Sequence, residues 1–247
     1  MTDLAIIGGT GLSQLREMRV EQRQIVVTPW GEPSAPVLHG VIAGRQITFL
    51  PRHGSGHTIP PHQVNYRANL WALRDLGVRQ VIAVNAVGGI RDDLRPGTLA
   101  VPDQVIDYTW GRSHTYFEGA DRPVRHVDFT RPYSDSIRAR LIDAGARAGL
   151  AMVDGGTYGA TQGPRLESAA EIARMARDGC AMVGMTGMPE AALARELDLE
   201  YACCAVVVNC AAGRGGDIQE ELDLYLDHGM AAVRLLLESL LREPEVV

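Results

Sequence analysis

The chain has 247 residues, of which 46% are hydrophobic and 22% charged, and its formal net charge at pH 7 is −6. This length and composition predict one soluble globular domain and exclude a disordered or fibrous protein. The acidic balance argues against a nucleic-acid surface, although local Arg, His and backbone N–H groups can still hold an anionic ligand.

Nothing in the sequence predicts a secretion signal or a membrane span. The opening residues, MTDLAIIGGTG, lack the basic region and the long apolar run of a signal peptide. No apolar stretch approaches the roughly 18 residues needed to cross a bilayer. The four cysteines (Cys180, Cys203, Cys204 and Cys210) show no C-x-x-C spacing and are predicted to be buried thiols in a reducing compartment. We therefore expect a cytoplasmic protein.

Short apolar runs alternate with helical patterns along the chain. Strands are predicted at 4–7, 46–51, 80–86, 98–102, 156–161, 181–186 and 201–208. Helices are predicted at 62–76, 134–149, 167–178, 189–197 and 217–242. This alternation, without repeats or linkers, predicts a single α/β domain over 1–247 with helices on both faces of a sheet. Ligands of such sheets bind beyond the carboxyl ends of strands, so we take the candidate site from those positions.

The first strand runs into a glycine-rich turn, GGTGLS, at residues 8–13. The third glycine of a dinucleotide-binding fingerprint is missing, which argues against that function. Backbone N–H groups of the turn, with the Thr10 hydroxyl, could cradle an oxyanion. A tight turn without a ligand explains the glycines equally well.

A second candidate segment, PRHGSGHTIPPHQVNYRANLWAL at residues 51–73, follows the next strand. It carries Arg52, His53, His57 and His62 among Gly and Pro residues, a composition that is hard to explain as core. An Arg can hold a phosphate through two parallel hydrogen bonds, and a neighbouring His can add a third. A metal site is the alternative, but no carboxylate or Cys with ligand spacing accompanies the histidines.

Further candidate residues follow, or end, other predicted strands. They are Asn85 and Ala86 in VNAVGGI, Met185 and Thr186 in MVGMTGMPEAALARE, and Asn209 in VVVNCAAG. The segment ATQGPRLESAAEI adds Glu167 at the start of a predicted helix. Each of these is also compatible with an ordinary turn or core position, but together they form a set of strand-end groups around one site.

Five segments, AIIGGTGL, PRHGSGHTIPPHQVNYRANLWAL, VNAVGGI, TQGPR and MTGMPEAALARE, resemble the trimeric purine nucleoside phosphorylases, and most of all the 5′-methylthioadenosine phosphorylases. The resemblance covers roughly residues 4–240 in the same order. It implies a mixed, distorted central β-sheet flanked by helices, and a homotrimer or hexamer with sites near subunit interfaces. It also implies transfer of a nucleoside's sugar to inorganic phosphate, with small molecules as the only other partners and no metal, cofactor, nucleic acid or membrane.

The resemblance also assigns roles to individual residues. The implied phosphate-binding residues are Thr10, Arg52, His53, Asn85, Ala86 and Thr186. Met185 would lie under the ribose, and His126, in RHVDFTRPY, would reach the neighbouring subunit's site near the 5′ substituent, with His57 in the same region. Arg52, His53 and Asn209 are the candidate catalytic residues, because phosphorolysis needs a fixed phosphate and a stabilised leaving base.

The sequence departs from the adenosine-type members at the positions that the resemblance assigns to binding of the purine base. Those members carry Asp-x-Asp where this chain has Asn209, Cys210 and Ala211, and a small hydroxyl residue where it has Glu167. An Asn amide both donates and accepts, which suits a 6-oxopurine. We therefore expect phosphorolysis of S-methyl-5′-thioinosine to hypoxanthine and 5-methylthioribose 1-phosphate. The alternatives are an inosine/guanosine phosphorylase, a 5′-methylthioadenosine phosphorylase and a non-catalytic nucleotide-binding module.

Overall fold

An eleven-stranded mixed sheet forms the centre of the computed structural model, which describes residues 2–12, 15, 17–119 and 123–242. Its strands are β1 (Leu4–Gly8), β2 (Arg19–Gln24), β3 (Val37–Ile42), β4 (Arg45–Pro51), β5 (Gln80–Gly89), β6 (Leu99–Val101), β7 (Gln104–Asp107), β8 (Met152–Asp154), β9 (Thr157–Ala160), β10 (Cys180–Gly184) and β11 (Glu200–Cys210). The helices are α1 (Tyr66–Asp75), α2 (Asp135–Arg147), α3 (Ala169–Arg177), α4 (Glu190–Glu196) and α5 (Ile218–Leu241). A 3-10 turn covers Pro61–Gln63.

The sheet branches at β5, the strand that organises the fold. Along one path the strand order is β2-β3-β4-β1-β5-β10-β9-β7, and β11 leaves this path from β5 to pair with β6, which pairs with β8. β5 runs parallel to β1 and β11 but antiparallel to β10. The predicted mixed, distorted sheet is therefore confirmed, and its branching brings several strand ends to one place.

Alternate residues of β11 face two different helical layers. Cys203, Ala205 and Val207 belong to the core that includes α1 and α4. Ala202, Cys204, Val206 and Val208 belong to the core that includes α2 and α5. Since successive side chains of a strand point to opposite faces, an uninterrupted apolar strand is expected where helices cover both faces of the sheet. All four cysteines are buried and free, as predicted.

The long helix α5 approaches β11 closely because a glycine lies at the contact. A Cβ on Gly229 would be 2.4 Å from Cγ1 of Val206, closer than any side chain can pack. The helix begins at Asp217, whose carboxylate accepts hydrogen bonds from the backbone N–H groups of Gln219 and Glu220. Its first turns thereby lie at the end of β11, beside the cavity described below.

The predicted helices and strands are all present, but four strands were not predicted. β2, for example, is exposed along nearly its whole length, so it lacks the apolar alternation that marks a half-buried strand. Within the described part of the chain, no helix combines the length and the apolar character needed to cross a membrane.

Candidate active site

A cavity of about 570 Å³ lies at the carboxyl ends of β1, β4, β10 and β11, beside the second half of β5. Eleven of the thirteen predicted site residues line it. They are Thr10, Arg52, His53, His57, Asn85, Ala86, Glu167, Met185, Thr186, Asn209 and Ala211. Residues from distant parts of the sequence thus surround one space, as expected if a sheet gathers its strand ends.

The glycine-rich turn after β1 allows the backbone to approach Arg52. A Cβ on Gly9 would lie 2.6 Å from the Val84 carbonyl oxygen and 2.8 Å from Nη1 of Arg52. Only glycine leaves room for both contacts. Thr10 follows directly and lines the cavity, whereas Ser13, the last residue of the predicted turn, lies outside the described residues.

Arg52 is fully buried in an ion pair with Glu190, the first residue of α4. Its Nε and Nη2 donate to the two oxygens of the Glu190 carboxylate at 2.7 and 2.8 Å, and Nη1 donates to the Val84 carbonyl at 3.0 Å. Burial by itself lowers the pKa of Arg52, but the negative charge of Glu190 outweighs burial and the net pKa is raised. Arg52 therefore remains charged, and its charge is largely balanced.

Glu190 is a residue of the site that the sequence analysis missed. Besides Arg52, its carboxylate accepts a hydrogen bond of 2.8 Å from the hydroxyl of Tyr201 in β11. In the sequence, a Glu after Pro189 indicates only an acidic first turn of a helix, which the helix dipole favours. Nothing local shows that this carboxylate meets an Arg 138 residues away.

Asn85 lies inside β5, which continues to Gly89 rather than ending at residue 86 as predicted. Its Nδ2 donates to the Thr186 hydroxyl at 2.7 Å, and its Oδ1 faces the Sγ of Cys203 at 3.4 Å. Because the Thr186 oxygen accepts from the amide, the hydroxyl proton is free to be donated to another acceptor. The arrangement makes Thr186 a donor towards the cavity, with Asn85 holding it in place.

His53 is buried beside Arg52, and its Nδ1 contacts the Ile59 carbonyl oxygen at 2.8 Å. A carbonyl only accepts, so Nδ1 carries the proton. Burial, assisted by the positive charge of Arg52, lowers the pKa of His53 to about 4. The ring is therefore neutral at pH 7, and Nε2 is a hydrogen-bond acceptor. The ring of His57, whose φ of 52° lies in the left-handed region, packs 4.7 Å from that of His53.

Asn209 occupies an irregular position in β11. The strand continues to Cys210, but its register with β5 shifts after Val207, which lies opposite Val87, so that Asn209 lies opposite Gly88. Such a bulge changes the direction of a side chain within a strand. Asn209 lines the cavity, and its Nδ2 donates to the Cys210 carbonyl at 2.7 Å. One amide N–H and Oδ1 remain for a ligand.

Two predicted residues do not reach this cavity. Cys210 is buried and does not line it. A Cβ on Gly215 would lie 2.4 Å from the Cβ of Cys210, and the Cys210 backbone N–H donates to the Glu221 carboxylate on α5 at 2.6 Å. His126 lies in a separate surface depression of about 540 Å³, with Arg125 and Arg195 among its neighbours. Its predicted reach into a neighbouring subunit stays a prediction.

No group of His, Cys, Asp and Glu among the described residues has the arrangement of a metal site. His62, which the sequence grouped with Arg52 and the other two histidines, lies in the 3-10 turn and does not line the cavity.

Comparison with known proteins agrees with this geometry. Residues 3–242 match the phosphorylase superfamily. The chain belongs to this superfamily. It is 58% identical over 217 residues to the probable S-methyl-5′-thioinosine phosphorylase of Xanthomonas campestris pv. campestris, covering 88% of this chain and 86% of the relative. It is 46% identical over 221 residues to the 6-oxopurine nucleoside phosphorylase of Pyrococcus furiosus, covering 87% and 82%.

The fold is shared with solved members of the superfamily. Methylthioadenosine phosphorylase from Schistosoma mansoni in complex with tubercidin superposes with a TM-score of 0.91 at 31% identity, covering 98% of this chain and 90% of that chain. The resemblance drawn from the five sequence segments is thereby confirmed at the level of the superfamily and of its fold.

Proposed function

We propose that this protein catalyses the phosphorolysis of S-methyl-5′-thioinosine to hypoxanthine and 5-methylthioribose 1-phosphate. The observation that carries the proposal is the composition of the base end of the cavity. Asn209 and Glu167 line its wall, together with Ala211, which has no carboxylate where adenosine-type members have the second Asp of Asp-x-Asp. The relative from X. campestris, which carries the same activity in its name, supports it.

At the phosphate end, the cavity offers hydrogen-bond donors with little net charge. Arg52 is paired with Glu190, His53 is neutral, and Thr186 has a free hydroxyl proton. A phosphate oxygen that carries a proton has a suitable acceptor in Nε2 of His53. Phosphate held below C1′ stabilises the positive charge that develops on the sugar and then forms the new bond to it, so catalysis rests on positioning and electrostatics.

At the base end, the side chains match a 6-oxopurine. The N1 of hypoxanthine carries a proton and can donate to the Glu167 carboxylate, and the free N–H of Asn209 can donate to O6 or N7. Adenine reverses this pattern, because its N1 accepts and its 6-amino group donates. A buried polar group left without a partner costs about 1–3 kcal/mol. Two such mismatches therefore reduce kcat/KM for adenine nucleosides roughly 10²-fold.

The 5′ end of the cavity is apolar on the side formed by α5. Ile218 and Leu222 of this helix line the wall, together with Ile59 and Pro60 from the loop before the 3-10 turn. Such a surface suits an S-methyl group better than a hydroxyl, which would lose hydration without gaining a partner. This is what favours the methylthio substrate over inosine and guanosine.

The same proposal includes a homotrimeric assembly, or a hexamer built from it, in which His126 completes the 5′ end of the neighbouring site. Inorganic phosphate is the co-substrate, and the reaction uses no metal or cofactor. His126 is exposed and lies away from the cavity of its own chain, so its side chain is available to a neighbouring subunit.

The direct test measures base release from methylthioinosine, methylthioadenosine, inosine and adenosine, each with phosphate. We expect methylthioinosine to give the highest kcat/KM. Faster release from methylthioadenosine would contradict the base assignment, and faster release from inosine would contradict the 5′ assignment. No release from any of the four would favour a non-catalytic binding module.

A variant pair tests the residues that read the base. Asn209→Asp combined with Ala211→Asp should shift preference towards 6-aminopurines. Gln219→Asp, which adds a negative charge at an exposed position of α5, is the control for a general electrostatic effect and should leave selectivity unchanged. Unaltered selectivity in the first variant would mean that the purine is read elsewhere.

A further inference from the structure

Thr161, the residue that follows β9, contacts the base-reading carboxylate directly. Its hydroxyl donates to Oε1 of Glu167 at 2.6 Å, whereas the other acceptor within reach among the described residues, the Gly184 carbonyl, lies at 3.3 Å. Within the described parts of the chain, no other side chain hydrogen-bonds the Glu167 carboxylate, and no donor contacts its Oε2. The orientation of Glu167 therefore depends on this hydroxyl.

The backbone of Thr161 is itself held on both sides. Its N–H donates to the Gly184 carbonyl at 2.8 Å, and its carbonyl accepts from Nη2 of Arg112 at 3.1 Å. The nearly buried Arg112 also donates to the carbonyls of Gln162 at 2.8 Å and Met185 at 2.9 Å. These bonds tie the loop before Glu167 to the loop that carries Met185, so the Thr161 hydroxyl has a fixed position in the site.

We propose that Thr161 is a positioning residue for purine selectivity: it occupies Oε1 of Glu167 and leaves Oε2 to accept the N1–H of a 6-oxopurine. The inference rests on the proposed function, in which Glu167 reads N1. An ionised carboxylate only accepts, so a fixed Oε2 favours a purine with a proton on N1 and disfavours one whose N1 is itself an acceptor.

Removing the hydroxyl should affect the two purine classes differently. Without its partner at Oε1, the Glu167 carboxylate can turn away from N1 and satisfy itself with water. The 6-oxopurine substrate then loses a hydrogen bond to a charged group, and kcat/KM for methylthioinosine should fall roughly 10-fold or more. Methylthioadenosine, which makes no such bond, should keep its kcat/KM, so the selectivity ratio falls by the same factor.

The experiment measures kcat and KM for both nucleosides in Thr161→Val, Thr161→Ser, Glu167→Gln and the parent enzyme. The selectivity ratio is kcat/KM for methylthioinosine divided by kcat/KM for methylthioadenosine. We expect Thr161→Val and Glu167→Gln to lower this ratio and Thr161→Ser, which keeps the hydroxyl, to retain the parental ratio. Thr157→Val makes the same replacement in β9, outside the cavity, and should leave the ratio unchanged. If Thr161→Val does not fold, Thr161→Ala replaces it in the same kinetic test, after far-UV circular dichroism has shown that this variant is folded.

The outcomes separate this inference from the proposed function. A parental ratio in Thr161→Val together with a lowered ratio in Glu167→Gln would overturn the role of Thr161 and leave the base assignment intact. A parental ratio in Glu167→Gln would overturn the base assignment and the inference with it. An equal loss on both nucleosides in Thr161→Val would show a general structural role and would also overturn the inference.

Discussion

Replacing Glu190 with Gln keeps the size of the side chain and removes the negative charge that faces Arg52. In the native protein the Glu190 carboxylate accepts two hydrogen bonds from Arg52 and one from Tyr201, and the side chains of Glu190 and Arg52 are both fully buried. The Gln amide offers one acceptor oxygen and places an NH₂ group against a donor. The variant therefore leaves a buried guanidinium without a counter-charge.

Breaking a buried ion pair by removing one partner costs about 3–5 kcal/mol of unfolding free energy. For a chain of this length each kcal/mol lowers Tm by roughly 2–4 °C, so we expect a decrease of about 6–20 °C. Phosphate should stabilise Glu190→Gln more than the parent protein, because its negative charge then lies near an uncompensated Arg52.

Thermal unfolding measures the decrease in Tm, and denaturant unfolding with and without phosphate, at fixed protein concentration, measures the unfolding free energy and the stabilisation by phosphate. Glu196→Gln is the matched control, since that nearly buried carboxylate accepts from neutral donors, the Thr115 hydroxyl and the Tyr116 N–H, both at 2.7 Å. The double variant Arg52→Met, Glu190→Leu should be more stable than Glu190→Gln because it leaves no unpaired charge. The reasoning fails if Glu190→Gln costs no more than Glu196→Gln.

Three further outcomes follow from the packing and the charges. The free energy of unfolding should fall as the pH drops from about 6.5 towards 4. His53 becomes protonated in the unfolded chain over this range but stays neutral in the folded protein, where the pKa of His53 is about 4. His53→Gln should flatten this decline in denaturant titrations. Gly229→Ala should cost about 1–3 kcal/mol in the same assay, since its Cβ would meet Val206; a neutral result would show that α5 can move outward. Leu222→Ala should lower kcat/KM for methylthioinosine about 10-fold and spare inosine; equal losses would place Leu222 away from the 5′ group.

Much of the site could be predicted because polar groups interrupt or follow apolar runs. Arg52, His53 and Thr186 lie just beyond strands that the sequence marks clearly, and the cavity brings them together. Asn85 and Asn209 were both predicted as site residues, Asn85 near the end of its strand and Asn209 just beyond the end of its strand. Both strands extend further than predicted: β5 continues past Ala86 to Gly89, and β11 includes Asn209 after a bulge, because pairing with neighbouring strands continues where the apolar pattern ends.

The partners that hold the site could not be predicted, because they depend on tertiary contacts alone. In the sequence, Glu190 is typical of an acidic residue in the first turn of a helix, and Arg112 lies in a segment without apolar periodicity. Their functions in the structure come from acceptors far away in the sequence: the guanidinium of Arg52 needs a carboxylate, and four carbonyls surround Arg112. Single-sequence patterns carry no information about such distant pairings.

The hydrogen bond from the Cys210 N–H to Glu221 lies within one short stretch of chain. That stretch, residues 209–222, begins with Asn209 and ends with Leu222. It holds one of the two proposed base-reading residues, the α5 side of the proposed 5′ wall and the hydrogen bond that connects them, whereas Glu167 lies elsewhere in the chain. The groups proposed for phosphate come from β1, β4, β5 and β10. Substitutions within this one segment can therefore alter contacts at both the base and the 5′ group without replacing any residue proposed to bind phosphate.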